Sequence, residues 1–91
     1  MTYRVTFTKE VDKTLAKWGK SNPILRKKCD KMIIELAQHP RTGLGHPEPL
    51  VAMGDFAWSR RIDKHNRMVY KVYDEVVTVL IISVEGHYDD K

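Results

Sequence analysis

From residue 3 onward, apolar Tyr3, Val5 and Phe7 alternate with Arg4 and Thr6, a period of two that predicts a strand. At Thr8 the period changes. Val11, Leu15 and Trp18 recur at helical spacing, Thr8 supplies an N-cap oxygen, and Gly19 is expected to stop the run. Ser21-Asn22-Pro23 then restarts a helix. Ser21 or Asn22 caps it, and Pro23 falls in the first turn, where its missing N–H costs nothing. Leu25, Cys29, Met32, Ile33 and Leu36 form its apolar stripe, with Lys27, Lys28 and Lys31 mostly off it. The short join between the two segments predicts an antiparallel helix hairpin, ended by Pro40.

Gly43, Gly45, Pro47, Pro49 and Gly54 crowd residues 40–55 and predict a loop there. A loop of that length in a small domain is usually functional or disordered. Three strand-like stretches follow, at residues 56–63, 66–73 and 76–83, the last two joined by a hairpin turn through Asp74 and Glu75. Residues 76–82 are apolar on both faces apart from Thr78, so the last strand should lie inside the sheet. The order β-α-α-β-β-β makes an α+β fold, a single domain over residues 1–91 with the helix hairpin packed on one face of a mostly antiparallel sheet. The opposite face is left to solvent or to a partner. Arg61, Arg67 and Lys71 need somewhere to point, and one shared face would gather some of them into a basic patch.

At 91 residues the chain buries only roughly 60% of its unfolded surface, so the core is thin. Its 42% hydrophobic and 31% charged residues describe a globular chain and exclude a disordered or fibrous one. No apolar run approaches the roughly 20 residues of a membrane span, and the first residues lack the apolar centre of a signal peptide. Cys29 has no cysteine partner, and the scattered histidines show no metal-ligand spacing. The expectation is a cytoplasmic protein with no membrane contact, metal or cofactor. Sixteen Lys and Arg against 12 Asp and Glu leave a net charge of +4, which favours polyanionic partners.

Three stretches carry polar groups outside the apolar stripes. In Gly43-Leu44-Gly45-His46-Pro47-Glu48-Pro49-Leu50, flanking prolines present the Glu48 carboxylate with little freedom. Two readings are open for it: an exposed carboxylate in a stiff spacer, or a general base. Trp58-Ser59-Arg60-Arg61-Ile62 and Asn66-Arg67-Met68-Val69-Tyr70 put Arg60, Arg61 and Arg67 on neighbouring strands. Guanidinium groups so placed fit phosphate oxygens, or else pair with Asp63, Asp74 and Glu75 on a solvated face. Gly86-His87-Tyr88 follows the last strand, and His87 there is either a proton donor near neutral pH or an inert terminal side chain. Trp18 and Trp58 are expected in the core, with Cys29 a small core filler. A base, cations and an acid are what RNA cleavage needs. RNA carries its own nucleophile, the ribose 2′-OH, so the protein supplies a proton acceptor, a cation for the phosphorane charge and a donor for the 5′-oxygen.

These motifs in this order resemble the Txe/YoeB family of bacterial toxins, within the RelE/ParE superfamily. The resemblance spans essentially the whole chain and is most specific in Gly43-x-Gly45-x-Pro47-Glu48-Pro49-Leu50, Trp58-Ser59-Arg60-Arg61-Ile62, Arg67-Met68-Val69-Tyr70 and His87-Tyr88. It implies a RelE-like fold and the toxin of a type II toxin–antitoxin system, a ribosome-dependent endoribonuclease that cuts mRNA in the decoding site and inhibits translation. By motif position Glu48 resembles the family's general base and His87 its general acid. Arg67 resembles the residue that stabilises the phosphorane-like transition state, and Tyr88 the one that positions the scissile nucleotide. Arg60 and Arg61 resemble contacts to phosphate or ribosomal RNA, with Lys71 alongside them on the expected basic face. The implied partners are the ribosome and mRNA, a cognate acidic antitoxin of the YefM or Axe kind, and a second copy of the chain. Two departures stand out: Asn66 occupies a position where many members carry histidine, and Asp89-Asp90-Lys91 extend past the His-Tyr pair. The alternative is a ParE-like toxin that poisons DNA gyrase, or a non-catalytic relative, on the same fold.

Overall fold

The structure, a computed structural model, describes residues 2–43, 45–50 and 56–86. Strand β1 (Arg4–Phe7) leads into helix α1 (Lys9–Ser21) and helix α2 (Pro23–Gln38). Four strands follow: β2 (Glu48–Pro49), β3 (Ala57–Arg61), β4 (Arg67–Tyr73) and β5 (Thr78–Ser83). They form one five-stranded sheet in the order β1-β5-β4-β3-β2, in which β1 runs parallel to β5 and every other pair is antiparallel. The expected α+β architecture, a helix hairpin on a mostly antiparallel sheet, is borne out.

Local chemistry sets the boundaries. Thr8 is extended, and its Oγ1 accepts from the Val11 amide at 3.3 Å, starting α1. The helix does not stop at Gly19 as expected. One glycine inside a helix costs only about 1 kcal/mol, and the Asn22 amide still donates to the Trp18 carbonyl at 2.8 Å. Asn22 then closes one helix and opens the next. Its Oδ1 accepts from the Leu25 amide at 3.3 Å, while Ser21 turns back to donate to the Lys17 carbonyl. Pro23 takes the first turn of α2.

The core forms where Val11, Leu15 and Trp18 of α1 and Leu25, Cys29, Met32 and Leu36 of α2 meet Met68, Tyr70, Val72, Val79 and Ile81 of the sheet. Trp58 packs against it, half-buried. Burial pushes the Cys29 thiol up to about 12, with the neighbouring Asp30 carboxylate adding to the effect. Strand β5 is flanked by β1 and β4, as its two apolar faces require. It begins at Thr78 because Asp74–Val76 form a 3-10 turn and Val77 adopts a left-handed conformation (φ 47°).

The sheet departs from a plain ladder at two places. Although the breakers in residues 40–55 predict loop throughout, Glu48 and Pro49 pair with β3 as an edge strand. Proline is tolerated there because a strand edge needs no second donor. The register between β4 and β5 also slips at Val69 and Tyr70: Val69 faces Ser83 while Tyr70 faces Ile81, so Ile82 is the extra residue of a bulge.

Candidate active site

Side chains directly opposite on paired strands share a face, and residues two apart on one strand share it too. Met68, Tyr70 and Val72 of β4 point into the helices. Arg67, Val69, Lys71 and Tyr73 therefore occupy the helix-free face. The pairs Glu48 with Ser59, Ser59 with Val69, Arg61 with Arg67 and Ala57 with Lys71 carry that face across β2, β3 and β4. Glu48, Arg61, Arg67 and Lys71 thus lie on one surface.

Ser59 joins them. It is fully buried, sits opposite Glu48, and its Oγ accepts from an η nitrogen of Arg67 at 3.0 Å. That bond draws the half-buried guanidinium from β4 toward the position facing Glu48. The sequence reading misses Ser59, although a small polar residue amid bulky strand neighbours marks the spot. Arg61 and Arg67 face each other directly, and like charges so placed repel unless an anion joins them. Among the described residues neither arginine has an ion-pair partner. Two of the carboxylates considered as their partners, Asp74 and Asp63, are engaged elsewhere. Asp74 accepts from Tyr3 at 2.6 Å and from Arg41 at 2.7 Å, bonds that hold its pKa below the usual carboxylate range. Asp63 binds its own turn.

The loop before β2 is tied down beneath this surface. The Gly45 carbonyl accepts from the Arg61 amide at 2.8 Å. Gly45 has φ +80°, and a Cβ there would lie 2.6 Å from the Arg61 carbonyl oxygen, so only glycine fits. Alongside runs a groove lined by Lys28, Lys31, His46 and Arg61.

Arg60 corrects the sequence reading, which puts it beside Arg61 as a phosphate contact. Adjacent strand residues point to opposite faces, and Arg60 is fully buried on the helix side. Its Nε donates to the Tyr70 hydroxyl at 3.1 Å, and its η nitrogens donate to the Glu35 carboxylate and to the His39 and Thr42 carbonyls. Tyr70 in turn donates to the Pro40 carbonyl at 2.7 Å. Burial pushes the Tyr70 hydroxyl pKa up, and its bond with Arg60 opposes that shift. This cluster fastens the end of α2 and the start of the following loop to the sheet.

His87 and Tyr88 lie outside the described residues. The last described residue is Gly86, whose carbonyl accepts from the Arg67 amide at 3.0 Å and whose amide donates to Asn66 Oδ1 at 2.8 Å. Arg67 and Gly86, the residue before His87 in the sequence, therefore lie together at the start of β4, and Arg67 reaches from there to Ser59 opposite Glu48. Among the described residues, no three His, Cys, Asp or Glu side chains gather in a way that would hold a metal ion, and no helix is long and apolar enough to cross a membrane.

A family model for YoeB-like toxins of bacterial type II toxin–antitoxin systems matches residues 7–88. The chain belongs to that family. It is 37% identical over 87 residues to a toxin YoeB of Streptomyces coelicolor, covering 93% of this chain and 99% of the relative. Its fold superposes on a YoeB/ParE toxin from Agrobacterium tumefaciens with a TM-score of 0.86 at 28% identity, covering 93% of this chain and 99% of that one. A YoeB chain in a heterotetrameric YoeB–YefM toxin–antitoxin complex from Staphylococcus aureus superposes with a TM-score of 0.81 at 25% identity, over 97% of this chain and 100% of that one. The family resemblance in the motifs is thus borne out at the level of the toxin family and its fold.

Proposed function

We propose that the helix-free face around Ser59 is the active site of a ribosome-dependent endoribonuclease that cuts mRNA in the decoding site and thereby stops translation. The observation that supports this reading is that Ser59 pairs in register with Glu48 and accepts a bond from Arg67, which puts a carboxylate-bearing residue and a guanidinium on one surface with spare positive charge. Glu48 removes the proton from the ribose 2′-OH, whose oxygen attacks the adjacent phosphorus. Arg67 holds the charge that builds on the phosphorane oxygens. Its bond to Ser59 fixes the guanidinium in place before the substrate arrives, which spares reorganisation in the transition state. His87 gives a proton to the departing 5′-oxygen and Tyr88 positions the scissile nucleotide. The proton count closes: one is taken and one returned, leaving a 2′,3′-cyclic phosphate and a 5′-hydroxyl. Arg61 and Lys71, on the same face, hold flanking phosphates. An acidic antitoxin neutralising this cationic face fits the net charge of +4.

The test is cleavage of a defined message on purified translating ribosomes by wild type, Glu48→Ala and Arg67→Ala. Wild type should cut within the decoding site and leave naked RNA nearly intact, because the ribosome supplies the strand geometry. Each variant should cut at least roughly a hundredfold more slowly. Equal cutting by all three would overturn the assignment. Growth arrest with DNA damage and intact mRNA would point to gyrase instead.

A further inference from the structure

We infer that Asn66 is a positioning residue, which fixes Gly86, the residue that immediately precedes His87 and Tyr88 in the sequence. For its catalytic consequence this rests on the function proposed above. The side-chain amide is held at both ends. Its Nδ2 donates to Asp63 Oδ1 at 3.1 Å, and its Oδ1 accepts from the Gly86 amide at 2.8 Å. Asp63 Oδ1 also accepts from the His65 and Asn66 amides, each at 2.8 Å. The Asn66 carbonyl accepts from the Ile62 and Asp63 amides at 2.9 and 3.2 Å, closing the turn between β3 and β4. Asn66 is therefore rigid before it reaches across to the end of β5.

Gly86 is gripped on both of its peptide groups. Asn66 holds its amide, and the Arg67 amide holds its carbonyl at 3.0 Å. Neither bond belongs to the ladder between β4 and β5, which runs from Thr78 to Ser83 and carries the bulge at Ile82. Gly86 has φ +81° with nothing within 4 Å of a built Cβ, so glycine is there for its left-handed backbone and not for space. The same pair of neighbours thus supplies the cation and the anchor: Arg67 carries the guanidinium, and Asn66 ties down the chain immediately before His87. Catalytic groups displaced by about 1 Å lose on the order of a hundredfold in rate, so such an anchor acts on chemistry more than on stability.

Three forms separate positioning from mere turn-building: wild type, Asn66→Ala, and Asn66→His, whose Nδ1 can take the place of Oδ1 as acceptor. Amide exchange by NMR on the isolated protein reads the anchor directly. In Asn66→Ala the Gly86 amide should exchange at least about fivefold faster, the loss of one hydrogen bond, while the Val72 and Val79 amides keep their protection. Single-turnover cleavage on ribosomes should slow at least roughly tenfold with ribosome affinity unchanged, and Asn66→His should restore both readouts. An unchanged Gly86 exchange rate in Asn66→Ala overturns the anchor. A freed Gly86 with wild-type cleavage overturns its catalytic role. If wild type itself cuts no message, the proposed function fails, and the exchange data still decide whether Asn66 holds Gly86. Should Asn66→Ala not fold, Asn66→Ser serves in its place, because the shorter hydroxyl keeps Asp63 within reach but not Gly86.

Discussion

Arg60 and Arg61 are chemically identical and adjacent, yet strand alternation sends them to opposite fates. Arg60→Ala leaves the Glu35 carboxylate, three-quarters buried, without its guanidinium partner, and loses as well the bonds to Tyr70 and two carbonyls. The expected cost is about 3–5 kcal/mol, read as a lower midpoint in urea unfolding. Arg61→Ala removes an exposed side chain and should change stability by less than about 0.5 kcal/mol while weakening ribosome binding and lowering its salt slope by about one. Reversed outcomes for the pair would mean that the two faces are misassigned. The pattern Trp58-Ser59-Arg60-Arg61 already implies that both arginines cannot reach one surface. What it does not show is which one has Glu35 waiting 25 residues earlier in the chain. Cys29 is legible as core filler from its place on the stripe of α2. Its thiol, pushed up to about 12 by burial, should resist alkylation in the native protein and react only on unfolding.

At the scale of elements, long periodic segments are legible and short or punctuated ones are not. The apolar stripe of α1 runs for about two turns and that of α2 for about three. Strand β2 has two residues, one of them proline, so no periodicity exists to detect, and its pairing is supplied by β3. That same pairing delivers Glu48 to Ser59, which is why the carboxylate's role stays open in the sequence. The turn between β3 and β4 is likewise built by contacts that no local pattern announces. Burial alone would raise the Asp63 pKa, but amide donors from His65 and Asn66, the Asn66 side chain and the nearby His65 charge together hold it below the ordinary value. The folded chain therefore binds that proton more weakly than the unfolded one, whose value is about 3.9. The contribution is complete above that value and is lost as pH falls through the lower folded value. Asp74 titrates in the same direction, so the comparison must be with Asp63→Ala. The stability gap between wild type and Asp63→Ala should be full near neutrality and shrink in acid below about pH 4. A gap independent of pH would show that the carboxylate's charge contributes nothing.

For the whole molecule, the β-α-α-β-β-β order dictates that helices cover one face of the sheet and leave the other available. Period and element order make this legible. The convergence of Glu48, Ser59 and Arg67 is not, because it depends on register across three strands. The proposed endoribonuclease site on the helix-free face makes a specific demand on the substrate. If Glu48 activates the ribose hydroxyl, the attacking oxygen belongs to the RNA and not to water. The most direct measurement is cleavage, on translating ribosomes, of a message carrying a single 2′-deoxyribose immediately 5′ of the cut. Only one hydroxyl is removed, so the phosphate contacts proposed for Arg61 and Lys71 would persist and binding should be nearly unchanged. Cleavage should vanish, while the all-ribose message yields a 2′,3′-cyclic phosphate and a 5′-hydroxyl. Cutting of the deoxy-substituted message at a comparable rate, leaving a linear phosphate, would contradict attack by the ribose hydroxyl.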